Sequence, residues 1–188
     1  MNQSVTIIAC GESGSQWDGT GDSIGGNDCF KFGHNVDYLM VIDAPKRFTP
    51  ERQDTILSST PRHFLSTQKG WLRQFHDPQV IDNLEHSLKY DELYCTNGPE
   101  LIRYRFSRWP GRVHKDRIQY SKTSPFAAIS LAYNLGYKEI TLYGADFKTH
   151  KTWNPTNDIM KEELKYYRAM IAELHILGVY VEWINSPL

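Results

Sequence analysis

A short apolar run near the N-terminus, VTIIA at Val5 to Ala9, ends directly in a loop rich in glycine and serine. This loop, CGESGSQWDG, places Gly11, Glu12, Ser13 and Gly14 just after the run. Small residues let backbone N–H groups approach a phosphate closely, and serine hydroxyls add donors. We therefore predict nucleotide contacts at these four residues. The glycine spacing matches neither a P-loop nor a G-x-G-x-x-G fingerprint, so a tightly packed turn is an equal alternative.

Two carboxylates follow strands that the sequence predicts elsewhere in the chain. Asp43 ends the run VDYLMVID, and Asp146 follows EITLYG. Ligands of open α/β sheets bind at the carboxyl ends of the strands, where a carboxylate can accept from a ribose, a sugar or a base. Aspartate also caps turns routinely, which is the structural alternative. Two such residues beside a Gly/Ser loop favour a binding site.

The segment TSPFAAISLAYNLG predicts a helix with Ser124 as N-cap and Gly136 just past its end. Free N–H groups and the helix dipole favour an anion beside Thr123 and Ser124, although capping alone explains Ser124. His150 lies four residues beyond Asp146. Histidine titrates near neutral pH, so His150 is a candidate general base toward a hydroxyl group, against the alternative of no catalytic role.

The segment RYRFSRWPGRVHKDRIQYSK, residues 103–122, is basic with aromatic residues interleaved. Its arginines, Arg103, Arg105 and Arg108, are candidate phosphate ligands, and the segment could also stack on bases. The alternative is a solvated pair of surface strands whose charges keep a sheet edge soluble.

The elements that must position these residues alternate along the chain. Strands are predicted at 5–9, 29–32 (CFKF), 36–43, 62–67, 92–96, 139–144 and 179–184, and helices at 50–59, 124–135 and 156–177. This alternation predicts an α/β protein, a single Rossmann-like three-layer sandwich with a mostly parallel sheet. Residues 68–121 are the least informative part.

Composition limits the class of protein. The chain has 188 residues and a formal net charge of −1, which predicts one domain, residues 1–188, without a general attraction to DNA or membranes. Its three cysteines are too few and scattered for a disulfide framework or a zinc cluster. We expect a cytoplasmic protein, because no signal-like segment and no apolar stretch of ~20 residues is present.

The segment TSPFAAISLAYNLGYKEITLYGADF resembles the bacterial CMP-sialic-acid-dependent sialyltransferases. That family carries Thr-Ser-Gly, an apolar helix, Ala-Leu-Gly-Tyr-Lys-Glu-Ile and Gly-x-Asp-Phe. The first strand with its loop and the ending VYVEWINSPL are similar to the same family. The archaeal hydroxymethylpterin pyrophosphokinases share the Rossmann-like layout. The resemblance covers the start, residues 123–158 and the C-terminus, but not the middle.

This resemblance implies a nucleotide-binding transferase. The family's phosphate and sugar contacts carry over to Gly11, Ser13, Thr123 and Ser124. Asp146 and Phe147 would line the site, and His150 would be the base. The chain departs from the family pattern at three positions: Glu12 replaces an asparagine, Pro125 replaces a glycine, and Lys148, a further phosphate candidate, stands where the family has a tyrosine that assists the leaving group.

We expect a glycosyltransferase-like enzyme that moves a sugar from a nucleotide-sugar donor to a hydroxyl of a glycan, small molecule or nucleic acid. We expect no required cofactor: nothing in the sequence calls for a divalent metal and no Asp-x-Asp motif is present, although Asp43 or Asp146 could recruit one. One alternative is a magnesium-dependent pyrophosphokinase or nucleotidyl-type transferase on the same fold. Another is a non-catalytic nucleotide- or nucleic-acid-binding module. The sequence leaves a homo-oligomer open.

Overall fold

A computed structural model describes residues 3–27, 29–84, 91–147 and 158–187. This part of the chain forms one nine-stranded sheet with five α-helices. The strands are β1 Ser4–Ile8, β2 Ser23–Gly26, β3 Tyr38–Met40, β4 His63–Ser66, β5 Glu92–Asn97, β6 Glu100–Arg108, β7 Ile118–Tyr120, β8 Glu139–Tyr143 and β9 Tyr180–Trp183. The helices are α1 Pro50–Leu57, α2 Lys69–Phe75, α3 Pro78–Asp82, α4 Ser124–Leu135 and α5 Asp158–Ile176.

The strand order is β7-β6-β5-β4-β3-β2-β1-β8-β9. All neighbouring pairs are parallel except β4 with β5 and β5 with β6. From β1 the chain builds the sheet outward through β2, β3 and β4, and it later returns to the other side of β1 as β8 and β9. The order therefore reverses at β1 and β8, the kind of switch point at which open α/β sheets bind ligands.

Helices cover both faces of the sheet, because successive strand residues point to opposite sides. On β3, Met40 joins an apolar core with α4 and α5, whereas Leu39 joins a second core with α1, α2 and α3. All of these core side chains are buried. The predicted fold class, a three-layer α/β sandwich with a mostly parallel sheet, is confirmed.

The helix α4 follows its sequence signals closely. Pro125 lies in its first turn, and Gly136 ends it with a φ of 95°, in the left-handed region that glycine enters without a steric cost. The N-cap is Thr123 rather than Ser124, one residue earlier than predicted, and its side chain makes no capping hydrogen bond. The predicted helix at 156–177 corresponds to α5, although its first two residues lie outside the described ones.

The strand predicted next after β1 is wrong. The segment Cys29–Phe32 (CFKF) is a 3₁₀ helix, and the second strand is instead β2, whose sequence SIGG resembles a loop. The first glycine of β2, Gly25, is needed for packing, because a Cβ there would lie 2.4 Å from the Cys29 sulfur atom. The 3₁₀ helix therefore packs directly on the strand that precedes it. The helices α2 and α3 and the strands β6 and β7 were not predicted either.

None of the helices in the described ranges is long and apolar enough to cross a membrane.

Candidate functional site

A cavity of about 480 Å³ lies at the carboxyl ends of β1, β2 and β8, within the usual size range of small-molecule sites. It therefore occupies the switch point of the sheet. The strand ends contribute Ala9, Cys10, Gly11, Gly26, Asn27, Gly144, Asp146 and Phe147 to its lining.

Hydrogen bonds tie the end of β1 to the end of β8. The Gly11 N–H donates to the Gly144 carbonyl at 2.7 Å, and the Gly144 N–H donates to the Ser13 hydroxyl at 2.7 Å. The Ser13 N–H donates to a carboxylate oxygen of Asp146 at 3.1 Å. Asp146 is only 3% exposed, so its carboxylate is fixed in place. These contacts make the rim of the cavity between β1 and β8 a preorganised surface.

The glycines at this rim are required by close packing. A Cβ at Gly11 would lie 1.9 Å from the Asp146 carboxylate, and one at Gly144 would lie 2.3 Å from the Ala9 carbonyl oxygen. Gly144 also has a φ of +71°. The tight-turn alternative for the first loop thus has direct support at Gly11. That role is compatible with ligand contact, because Gly11 also lines the cavity.

One side of the cavity is formed by Lys122, Thr123, Ser124 and Pro125, which we call the α4 wall. A helix leaves its first backbone N–H groups without partners inside the helix, and its dipole makes that end attractive to an anion. The Thr123 side chain does not cap α4, but Pro125 has no N–H and the Phe126 N–H bonds to the Tyr167 hydroxyl. In this first turn the Ser124 N–H is therefore the group that a phosphate could meet.

The α4 wall is held by the buried carboxylate of Glu163 on α5. Glu163 is 0% exposed and accepts from the Thr123 hydroxyl at 3.0 Å, from the Lys122 N–H at 3.2 Å and from the Ser121 hydroxyl. The Thr123 hydroxyl also lies 2.7 Å from the Tyr167 hydroxyl, and burial raises the pKa of Tyr167 well above its usual range. Thr123 thus serves the site through its position, with its hydroxyl engaged by α5.

The other side of the cavity is formed by Lys31, Asp43, Arg47, Phe48 and Arg52, which we call the basic wall. The Lys31 ammonium donates to the Cys10 carbonyl at 2.5 Å, just beyond the end of β1. The Arg52 guanidinium lies 4.8 Å from the Phe48 ring centroid, a cation–π contact that orients it. The Trp71 indole donates to the Asp43 carbonyl at 2.8 Å and anchors the turn that carries this wall.

The two walls belong to opposite faces of the sheet. Phe48 packs in the core with α1 and α2, whereas Phe126, in the first turn of α4, packs in the other core. The cavity therefore crosses the end of the sheet between β1 and β2. A Cβ at Gly26, the last residue of β2, would lie 3.7 Å from the Ser124 Cβ, in ordinary contact. Asn27, next along the chain, has an amide oxygen that is buried without a hydrogen-bond partner among the described residues.

Six of the predicted site residues come together in this cavity: Gly11, Asp43, Thr123, Ser124, Asp146 and Phe147. Ser13 and Gly14 are buried next to it, and Glu12 is exposed, but these three are not part of its lining. Ser13 acts on the site through its bonds to Gly144 and Asp146. His150 and Lys148 lie outside the described residues.

The predicted phosphate ligands on β6 lie elsewhere. Arg103 pairs with Glu92 at 3.1 Å, Arg105 lies 3.4 Å from Asp116, and Arg108 is exposed. None of the three lines the cavity. Because β6 and β7 form one end of the sheet and Arg103 and Arg105 are paired with acids, the solvated-edge interpretation of this segment has support.

Sequence reasoning missed the three cations of the basic wall, although it predicted Asp43. Lys31 lies in the 3₁₀ helix that follows β2, and Arg47 and Arg52 lie in the turn and the helix α1 that follow β3. Basic residues in the connections after parallel strands are the signal that could have identified them. That signal depended on β2, which two glycines conceal. Among the described residues, no group of three or more His, Cys, Asp or Glu side chains is placed to hold a metal ion.

No protein-family profile matches the sequence, and no curated protein matches it. Among solved structures, the chain is similar to the sialyltransferase CstII from Campylobacter jejuni, determined in complex with the substrate analogue CMP-3FNeuAc. The TM-score is 0.43 and the sequence identity 14%, over 96% of this chain and 79% of that chain. This is a distant structural neighbour, and similarity at this level assigns no activity.

Proposed function

We propose that the cavity binds the phosphate of a nucleotide. The observation that carries the proposal is the convergence, at the switch point of a mostly parallel sheet, of the α4 N-terminus with Lys31, Arg47, Arg52 and Lys122. Backbone N–H groups at a helix start and basic side chains are the groups that proteins use to bind phosphates. The Asn27 amide oxygen and the Asp43 carboxylate supply acceptors for ribose or base donors.

We propose further that the bound nucleotide activates a sugar, which the protein transfers to an acceptor hydroxyl. In this reaction His150 takes the proton of the hydroxyl, whose oxygen attacks the anomeric carbon as the bond to the phosphate oxygen breaks. The Ser124 N–H at the start of α4 and the basic side chains stabilise the negative charge of the departing phosphate. The resemblance of residues 123–147 and of the first loop to sialyltransferases supports this assignment, and His150 enters through that resemblance alone.

The test is a thermal-shift screen against CMP, UDP, GDP, ADP and their sugar conjugates. Ligand at about 100 times its dissociation constant stabilises the folded state by about 2.7 kcal/mol. We expect a shift with at least one nucleotide, reduced in Lys122→Gln and retained in Arg103→Gln, a matched loss of charge on β6. No shift with any nucleotide overturns the proposal. Release of free nucleotide from the matching conjugate, lost in His150→Ala, tests the transfer step.

The two carboxylates that line the cavity, Asp43 and Asp146, favour a second candidate. A pyrophosphokinase or nucleotidyl-type transferase holds magnesium on carboxylate and phosphate oxygens. Repeating the screen with EDTA and with magnesium separates the two. Binding and turnover that persist in EDTA support glycosyl transfer, whereas an absolute requirement for magnesium, with AMP or pyrophosphate as product, supports the second candidate.

A further inference from the structure

A group of polar and aromatic side chains lies outside the cavity, beside the α4 wall. At the end of β6, Arg108 is the cross-strand neighbour of Tyr120, and the Trp109 N–H donates to the Tyr120 carbonyl at 2.8 Å. The Trp109 ring makes a T-shaped contact with Phe126 in the first turn of α4, with the ring centroids 5.5 Å apart. Lys122, which follows β7, lines the cavity. The end of β6 therefore lies next to the cavity.

Helix α5 supplies the other half of this group. The Glu162 carboxylate lies 2.6 Å from the Lys122 ammonium and accepts from the Tyr166 hydroxyl at 2.8 Å. These two hydrogen bonds lower the pKa of Glu162. The positive charge of Arg108 lowers that pKa further, so Arg108 faces the same surface. We call this group of five residues, Arg108, Trp109, Lys122, Glu162 and Tyr166, the aromatic platform.

The aromatic platform offers the contacts that a sugar ring needs. Trp109 and Tyr166 are both partly exposed. The face of an aromatic ring is negative, so it attracts the C–H groups of a sugar ring, whose hydrogens carry a partial positive charge. Within the described residues the Trp109 indole N–H has no hydrogen-bond partner, and it can donate to a sugar hydroxyl. Glu162 and Lys122 add an acceptor and a donor beside each other.

The charge of the aromatic platform favours a neutral ligand over a polyanion. A nucleic-acid strand is bound by cations that are free to meet its phosphates. Here the Lys122 ammonium is already paired with Glu162, and this carboxylate, whose pKa is lowered, is charged at neutral pH and repels phosphates. The neighbouring arginines Arg103 and Arg105 are paired with acids as well.

We propose that the aromatic platform binds the acceptor of the transfer reaction, and that this acceptor is a neutral glycan. The inference rests on the proposed function and names the class of its acceptor. The sugar ring packs on Trp109, and its hydroxyls bond to Glu162 and Lys122. Because Lys122 also lines the cavity, this placement brings an acceptor hydroxyl to the donor. The hydroxyl oxygen bonds to the anomeric carbon, the electron pair of the broken bond leaves on the phosphate oxygen, and the hydroxyl proton passes to the base.

The experiment probes an array of neutral oligosaccharides, acidic oligosaccharides and a single-stranded oligothymidylate with the labelled full chain. The variants are Trp109→Ala and Glu162→Gln. The matched control is Tyr180→Ala, since Tyr180 is an exposed aromatic residue on β9, at the opposite end of the sheet from β7. We expect binding to neutral glycans, weakened about tenfold or more in Trp109→Ala, severalfold in Glu162→Gln, and unchanged in Tyr180→Ala. Trp109→Ala and Tyr180→Ala should keep the thermal shift with nucleotide.

Each other outcome overturns a defined part of the account. Glu162 is exposed, so Glu162→Gln decides the matter if Trp109→Ala does not fold. Glycan binding that survives both changes overturns the assignment of the aromatic platform. Preferential binding of acidic glycans or of oligothymidylate overturns the neutral class, and so does the absence of binding to any glycan. In each case a thermal shift with nucleotide leaves the nucleotide site intact, whereas no shift with any nucleotide overturns the proposed function itself.

Discussion

The two walls of the cavity are built in different ways. The α4 wall and the adjoining rim between β1 and β8 are held in place by buried polar groups: Ser13, Asp146 and Glu163 each bond to a neighbouring segment. The basic wall presents long cationic side chains, of which Lys31 and Arg47 are exposed. One wall can fix the geometry of a ligand, and the other supplies charge to attract it.

Because the walls are built differently, mutations in them should affect the stability of the fold and the affinity for the ligand to different extents. Changes in the α4 wall and its rim should damage the fold and the site together, because the same buried bonds support both. Changes in the basic wall should affect the ligand alone, because exposed charges contribute little to folding. The following predictions test that separation.

The largest effect is expected for Gly144→Ala. A Cβ there would lie 2.3 Å from the backbone of Ala9. Gly144 also has a φ of +71°, which disfavours any residue other than glycine. We expect a loss of about 3 kcal/mol in the free energy of unfolding, measured by urea titration. Gly26→Ala is the control, because its Cβ meets only ordinary contacts, and it should change that free energy by less than about 1 kcal/mol. Similar losses in both would argue against the tight rim.

Glu163→Ala should have the next largest effect. It leaves the Ser121 hydroxyl and the Lys122 N–H without their buried acceptor, at a cost of about 3 kcal/mol in the free energy of unfolding. Glu163→Gln keeps one acceptor oxygen and should lose less. Nucleotide affinity should fall in both, as the α4 wall shifts. Glu162→Ala, at the neighbouring exposed position, should leave the free energy of unfolding nearly unchanged. An equal loss from Glu162→Ala would contradict the structural role of Glu163.

Salt should distinguish the walls without any mutation. Raising the ionic strength from about 0.05 M to about 0.5 M shortens the screening length of exposed charges severalfold. Nucleotide affinity should therefore weaken, while urea unfolding without ligand changes little. In Arg47→Gln the dependence of affinity on salt should be shallower than in Lys46→Gln. A steep dependence that Arg47→Gln does not alter would place the attracting charge outside the basic wall.

The smallest effect is expected for Arg103→Gln. Its partner Glu92 is close, but the Arg103 side chain is 66% exposed, and an ion pair with so exposed a member stabilises a fold weakly. Neither the melting temperature nor the nucleotide affinity should change measurably. A loss of nucleotide affinity in this variant would show that the segment 103–122 contributes to the binding site.

The sequence predicted the α4 wall well because its signals are local. Pro125 and Gly136 mark the ends of α4, and an apolar strand ends just before Asp146. Parallel strands bring their carboxyl ends to one edge, so Gly11, Asp43 and Asp146 could be placed together before the topology was known.

The basic wall was not predictable in the same way. Lys31 reaches the site because the 3₁₀ helix Cys29–Phe32 packs on β2, where Gly25 leaves space for the Cys29 sulfur atom. That contact is tertiary, and the glycines that permit it hide the strand from propensity arguments. The composition of the arginine-rich segment 103–122 predicted phosphate ligands. The acids that pair with its arginines, Glu92 and Asp116, become their neighbours only through strand pairing and chain folding.

The most direct test of the central claim is hydrogen–deuterium exchange of the protein with and without saturating nucleotide. We predict slower exchange with nucleotide at residues 121–128, at the start of α4, and at residues 43–52, which carry Arg47 and Arg52, with no change at residues 100–108 of β6. Protection confined to residues 100–120, or at neither wall of the cavity, would contradict a nucleotide site at the end of the parallel sheet.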